Sequence, residues 1–181
     1  MYRLTLVYFT LLFLLFRPFQ LERPGMLFSG DDVSYFAFSS AIVFGEYPRF
    51  DKEYVDETIV PPLSRVGPAL MSLPFTFFGS LVDRVSENPI VKQRNYENIV
   101  NSWTLFGAVF AAGFYAWLTI FLLYRTLSRV VSSRTAQWSI VACVLLPGLH
   151  LYAYRRPVFA HVYEIFLHAA LLGLFVGEQN R

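Results

Sequence analysis

The stretch 103-WTLFGAVFAAGFYAWLTIFLL-123 decides the class of this protein. It carries no charged side chain, and it is long enough to cross the hydrocarbon core of a bilayer, which takes about 20 apolar residues. The whole chain of 181 residues is 55% hydrophobic and 18% aromatic, and only 15% of it is charged. A typical soluble domain is about 25% charged. The sequence therefore predicts an all-α integral membrane protein.

Working outward from this stretch, three other apolar runs predict further transmembrane helices. We expect a single membrane domain with four spans, at residues 1–19, 99–124, 135–154 and 158–177. Residues 20–98 between the first two spans form an acidic loop. Within it, residues 61–81 are apolar but contain four prolines and Arg65. Helix breakers at membrane depth are typical of segments that lie along the interface or re-enter it, so we predict an interfacial segment here.

The charge distribution predicts the topology. Of the 13 acidic residues, 11 lie between Arg17 and Asn98, whereas Tyr124 to His161 contains five arginines and no acid. Because basic loops stay in the cytoplasm, we expect a cytoplasmic N-terminus and an extracytoplasmic acidic loop, in the inner membrane of a bacterium. A cleaved signal peptide is the alternative for the first run, but no small-x-small cleavage site follows it. No basic stripe of the kind that binds nucleic acid is present.

An acidic pair, Asp31-Asp32, follows the first span. Apolar residues recur at helical spacing from Asp32 to Phe44, which predicts an amphipathic helix with the pair at its N-terminus. One interpretation is that the pair only caps this helix, because the helix dipole favours negative charge there. The other is that two carboxylates beside a bilayer take part in chemistry, because they are costly otherwise.

The order of these features resembles the N-terminal part of the GT-C glycosyltransferases, the superfamily of protein O-mannosyltransferases and lipid A aminoarabinose transferases. The features are a first helix, an acidic pair before an amphipathic helix, the segment Pro61-Pro62-Leu63, and spans joined by a short basic turn. The family's pair is commonly Asp-Glu, whereas here the second acid is Asp32. Where the family often has an acid before a proline, this chain has Arg155-Arg156-Pro157. Four spans are also fewer than the family's module contains, so the resemblance implies a fragment of a longer chain, one part of a split protein whose partner chain supplies the remaining helices, or a reduced relative.

The resemblance implies a reaction and a set of roles. The family moves a sugar from a polyprenyl-phosphate donor to a hydroxyl outside the cytoplasm, with inversion at the anomeric carbon. Asp31 would be the general base and Asp32 would orient it. Phosphate binding favours guanidinium groups, because their planar fork matches phosphate oxygens. We therefore expect Arg65, Arg155 and Arg156 to contact the donor, and the alternative for the last two is contact with lipid headgroups.

His161, Glu164 and His168 are spaced by three and four residues in the last span, so they share one helical face. Ionisable groups inside a span are candidates for function, and we assign His161 and Glu164 to substrate binding, with Glu164 a possible substitute for the second acid. A divalent metal is a further alternative, but no complete ligand shell is visible, so we predict no metal and no cofactor.

Two other classes of function stay open. A membrane scaffold subunit would keep the same architecture without catalysis. A small transporter would use His161, Glu164 and His168 as a proton path, although no internal repeat of the kind that marks transporters is visible.

Overall fold

The computed structural model describes residues 31–48, 66–145, 149, 152–153, 158 and 160–179, together with residues 7 and 10. This part of the chain is all-helical, as predicted, and has no strands. A 3-10 turn, Pro89–Val91, lies between the second and third helices. The helices that we label are α1 (Asp31–Val43), α2 (Gly67–Val85), α3 (Tyr96–Val100), α4 (Trp103–Leu127), α5 (Ser133–Leu145) and α6 (His161–Gln179).

Helix α4 is the centre of the fold. Its 25 residues give a length of about 37 Å at 1.5 Å per residue. Its N-terminus is doubly capped: the Ser102 hydroxyl accepts a hydrogen bond from the Leu105 amide at 3.1 Å, and the Asp83 carboxylate accepts from the amides of Trp103 and Thr104. Small residues form much of its buried surface: Gly107, Ala108, Ala111, Ala112 and Ala116. These let neighbouring helices approach closely.

Helix α2 packs antiparallel against the first half of α4. A Cβ atom at Gly79 would overlap the Trp103 carbonyl, and one at Gly107 would overlap the Phe75 carbonyl. The buried face of α2 carries Ser72, Thr76 and Ser80, whose hydroxyls donate to carbonyls of the same helix at 2.8–3.1 Å. The two backbones nearly touch where the interface is made of small residues and self-satisfied hydroxyls, and beside this contact the Phe75 ring packs against the rings of Phe110 and Phe114.

We expect Gly107→Ala to lower the stability of the protein, although alanine is normally the better helix former by roughly 0.5–1 kcal/mol. The new methyl group meets backbone that cannot rotate away, and overpacking typically costs about 1–3 kcal/mol. Gly67→Ala is the matched control, because a Cβ there meets nothing within 4 Å. Thermal unfolding in detergent should show a lower midpoint for Gly107→Ala only. Equal midpoints for the two variants would contradict the close contact.

Helix α6 packs parallel to the second half of α4. The ring of Tyr115, near the middle of α4, lies 5.3 Å from the Tyr163 ring and 4.9 Å from the Phe166 ring. Further along, Gly173 faces Thr126 and Gly177 faces Arg129. Tyr115 is also 6.3 Å from Phe75 of α2. Helices α2 and α6 therefore cover successive halves of α4 and meet beside Tyr115.

The exposed surface is strongly apolar. Helix α2 buries serine and threonine but exposes Phe77, Phe78 and Val85, and α6 exposes Leu171, Leu174 and Phe175. A helix on the surface of a soluble domain shows the opposite pattern, with its apolar stripe facing the core. This arrangement is the one found where helices pack through small residues and present apolar side chains to lipid.

Two of the described helices are long and apolar enough to cross a membrane, α4 and α6. They correspond to the predicted spans 99–124 and 158–177. The prediction of four spans is not supported. Residues 1–19 lie outside the described part of the chain apart from Val7 and Thr10, and the described helix of the third span, Ser133–Leu145, has 13 residues, where about 20 are needed.

The acidic segment contains more helix than its prolines predicted. Residues 61–65 lie outside the described part, but α2 runs without interruption through Pro74 to Val85. Pro68 lies in the first turn, where a backbone N–H has no helical partner in any case. Pro74 forfeits one helical hydrogen bond, and the packing of α2 against α4 offsets that loss. Most of the predicted interfacial segment is therefore part of one continuous helix.

Candidate functional site

The acidic pair opens helix α1, because Asp31 and Asp32 are its first two residues. The helix predicted over Asp32–Phe44 is thus confirmed almost to the residue. The side chains of both acids lie outside the described part of the structure, and only their backbone positions are described. The backbone places the pair on a regular element at its electropositive end.

The body of α1 is firmly packed. Phe36 and Ala41 are fully buried, and the helix lies against α2. Ser39 and Ser40 are also buried, and their hydroxyls donate to the carbonyls of Phe36 and Ala37 at 3.0 and 3.2 Å. More of the helix surface is buried than the single apolar face that we expected, because these hydroxyls satisfy themselves within the helix. The acidic pair therefore has a rigid support.

An arginine cluster that the sequence did not reveal holds the C-terminal end of α1. Arg84 donates a hydrogen bond to the Val43 carbonyl at 2.8 Å. Arg94 is completely buried, forms an ion pair with Glu46 and lies 4.7 Å from the centre of the Phe44 ring. Burial lowers the pKa of Arg94 to about 10, so the guanidinium stays charged at neutral pH. The cluster joins the end of α1 to the segment that precedes α4.

Asp83 is an acid with no exposed surface, and its carboxylate is occupied by hydrogen bonds to α4. Its carboxylate accepts hydrogen bonds from the Trp103 amide at 3.0 Å, the Thr104 amide at 2.7 Å and the Thr104 hydroxyl at 2.6 Å. All three donors belong to the first two residues of α4, and together they occupy both oxygens of the carboxylate. Asp83 therefore anchors α2 to α4 and has a structural role.

His161 and Glu164, two of the predicted site residues, do come together. His161 Nδ1 lies 2.9 Å from Glu164 Oε2 in the first turn of α6, and the two side chains are 41% and 57% exposed. The Tyr152 ring lies 4.5 Å from the His161 ring. His168 does not join this pair through its side chain, because its Nδ1 is 2.7 Å from the Glu164 carbonyl oxygen. The pair can exchange a proton and form hydrogen bonds with a ligand.

The position of this pair along the fold is unusual. Tyr163 lies beside Tyr115, so the first turn of α6 is level with the middle of α4. An accessible histidine and carboxylate therefore lie halfway along the longest apolar helix. At membrane depth such groups face protein or a water-filled cavity, and they are rarely without function.

Three predicted site residues, Arg65, Arg155 and Arg156, lie outside the described residues. Among the residues that are described, no group of three His, Cys, Asp or Glu side chains is placed to hold a metal ion. The described candidate residues thus lie at two places in the fold, Asp31 and Asp32 at the start of α1 and the pair His161–Glu164 at the start of α6. No protein-family model, curated protein or solved structure matches this chain.

Proposed function

We propose that this chain is a membrane glycosyltransferase, or the N-terminal portion of one, that transfers a sugar from a polyprenyl-phosphate donor to an extracytoplasmic acceptor hydroxyl. The observation that carries the proposal is the position of Asp31 as the first residue of a helix that is packed along its length and held at its far end. A general base must keep its distance from the reacting hydroxyl, and a rigid helix provides that constraint better than a loop does.

The packing supports a membrane location. Helices α4 and α6 have the length and composition of spans. The closest contacts between α2 and α4 use glycine, serine and threonine, while Phe77 and Phe78 of α2 and Leu174 and Phe175 of α6 point outward. In water this arrangement would expose apolar side chains at a cost in free energy. In a bilayer the same side chains lie in hydrocarbon, so the arrangement favours a membrane location. We place α1 and α2 in the extracytoplasmic half of the bilayer, with the polar residues between α2 and α4 outside it, because the basic residues that follow α4 belong in the cytoplasm.

The proposed reaction is a single displacement. Asp31 accepts the proton of the acceptor hydroxyl, and the freed oxygen forms a bond to the anomeric carbon of the sugar. The bond between that carbon and the phosphate oxygen breaks, and polyprenyl phosphate leaves with the electron pair. The configuration at the anomeric carbon inverts, and the phosphate is a good enough leaving group to need no second carboxylate.

The other residues bind and orient in this proposal. Asp32 orients Asp31, and Arg65, Arg155 and Arg156 neutralise the donor phosphate. His161 and Glu164 bind sugar hydroxyls, since their exposed first-turn position leaves polar atoms accessible. The reaction as written requires no metal or cofactor.

The exposed apolar face of α6 indicates what must surround this helix. Lipid or further helices must cover it, and a polar pair at its start favours a protein-lined cavity on that side. We propose that the missing helices of the module, in a longer chain or in a partner chain, complete the site.

The direct test is sugar release from lipid-linked donors. Membranes from cells that make the complete natural protein, and membranes from cells that lack it, are incubated with a panel of polyprenyl-phosphate monosaccharides labelled in the sugar. We expect one donor to lose its label only when the protein is present, with free polyprenyl phosphate as the second product. If no donor loses its label and the purified protein binds none, the proposal is wrong. A non-catalytic scaffold would instead give protein-dependent transfer that survives the Asp31→Asn substitution.

A further inference from the structure

A groove lies between the C-terminal ends of α4 and α6, remote from the proposed catalytic site. It has a volume of about 980 Å³ and is lined by Leu122, Arg125, Arg129, Gly173, Leu174 and Gly177, with Thr126, Ala170 and Glu178 completing it. Its floor on the α6 side is made of small residues, and this is why space remains between two helices that touch elsewhere. Gly173 lies against the Thr126 hydroxyl, and Gly177 lies under the Arg129 guanidinium.

The groove is cationic at one end and apolar at the other. Neither Arg125 nor Arg129 has an ion pair within the described part of the chain. Glu178 is the one acid in the lining. Two guanidinium groups that share a groove match the oxygens of a phosphate group, and Leu122 and Leu174 would meet an attached acyl chain.

We propose that this groove binds the phosphate headgroup of an anionic phospholipid from the cytoplasmic leaflet. It lies where both candidate spans end, which is the level of the headgroups if α4 crosses the bilayer. Residues 125 to 134 contain three arginines and no acid, so the surrounding field also attracts anions. Lipid binding in this groove requires the same membrane location as the proposed glycosyltransferase, but it does not require that the protein transfers a sugar.

The test is binding of a soluble short-chain lipid to the purified protein in an uncharged detergent, where no membrane surface potential contributes. Dioctanoyl phosphatidylglycerol is titrated and its retention is measured by native mass spectrometry, with dioctanoyl phosphatidylcholine and inorganic phosphate in parallel. We expect saturable binding of the anionic lipid and much weaker binding of the other two. Inorganic phosphate that binds as tightly as phosphatidylglycerol would overturn the assignment to a lipid.

Three variants separate a built site from a general basic surface. Arg129→Gln should weaken binding by about tenfold or more, because charge-assisted hydrogen bonds to phosphate are lost. Arg134→Gln removes the same charge from an exposed position outside the groove and should change binding far less. Gly177→Leu keeps every charge but fills the space beneath Arg129, and only the flexible end of that side chain has to move. It should abolish binding with the unfolding temperature little changed. If Arg134→Gln weakens binding as much as Arg129→Gln, or if Gly177→Leu binds normally, the groove is not the site.

Discussion

Replacing Asp31 by asparagine is expected to lower the rate of sugar transfer by about 10²–10⁴-fold, the usual cost of losing a general base. Asparagine keeps the shape of the side chain and can still cap α1, but it cannot accept the proton of the acceptor hydroxyl. Donor binding should be unchanged, because the phosphate contacts are assigned to arginines. The measurement is single-turnover transfer from a saturating polyprenyl-phosphate sugar, with donor binding measured separately on the same preparation.

Asp32→Asn is the matched control, since it makes the same change one residue along the same helix. It should reduce the rate less than Asp31→Asn, because Asp32 acts through its neighbour. Wild-type transfer by Asp31→Asn together with a dead Asp32→Asn would assign the base to Asp32. Full activity of both variants would leave the pair as a helix cap and remove the main support for the enzyme.

Replacing Glu46 by glutamine is expected to destabilise the protein by about 3–5 kcal/mol, the range seen when one partner of a buried ion pair is removed. The reason is the position of Arg94, which has no exposed surface and whose pKa, although lowered to about 10 by burial, keeps it charged at neutral pH. Glutamine can still accept a hydrogen bond from the guanidinium but cannot balance its charge. Chemical unfolding in detergent, followed by tryptophan fluorescence, measures the change.

Two further variants show whether the charge is responsible. Glu97→Gln removes an exposed acid from the same segment and should change stability by no more than roughly 0.5 kcal/mol. Combining Glu46→Leu with Arg94→Met replaces both partners by apolar side chains and should recover most of the lost stability. A Glu46→Gln protein as stable as Glu97→Gln would show that the ion pair contributes nothing to holding α1.

Local sequence pattern was sufficient to predict the helices whose own residues show a helical period or a long apolar run. The helix at Asp31–Val43 followed from apolar spacing, α4 followed from a long uncharged run, and α6 followed from a long, predominantly apolar run. The pairing of His161 with Glu164 followed from a spacing of three residues on a helix. In each case the information lies within one turn or one segment of chain, where helical geometry fixes which residues meet.

The contacts that assemble these helices could not be predicted, because they join residues far apart in the chain. Arg94 pairs with Glu46 and Asp83 caps α4, and nothing in the local sequence identifies the partner of either acid. The sequence predicted an interfacial segment at residues 61–81, but not the uninterrupted helix α2 that runs from Gly67 to Val85. The close packing of α2 depends on Gly107 of α4, because a Cβ atom there would overlap the Phe75 carbonyl. The start of α6 lies beside the middle of α4 because Tyr163 contacts Tyr115, and this contact also joins residues far apart in the chain.

Every role proposed for this protein depends on α4 crossing a bilayer with α1 and α2 on the outer side. Single cysteines at Ser86, which is exposed after α2, and at Ser133, which is exposed after α4, test this in a Cys143→Ser background. Intact spheroplasts making the complete protein are treated with a membrane-impermeant maleimide. We expect Ser86→Cys to be labelled at once and Ser133→Cys only after the membrane is permeabilised. Labelling of both cysteines from the same side of an intact membrane would contradict a membrane-spanning α4.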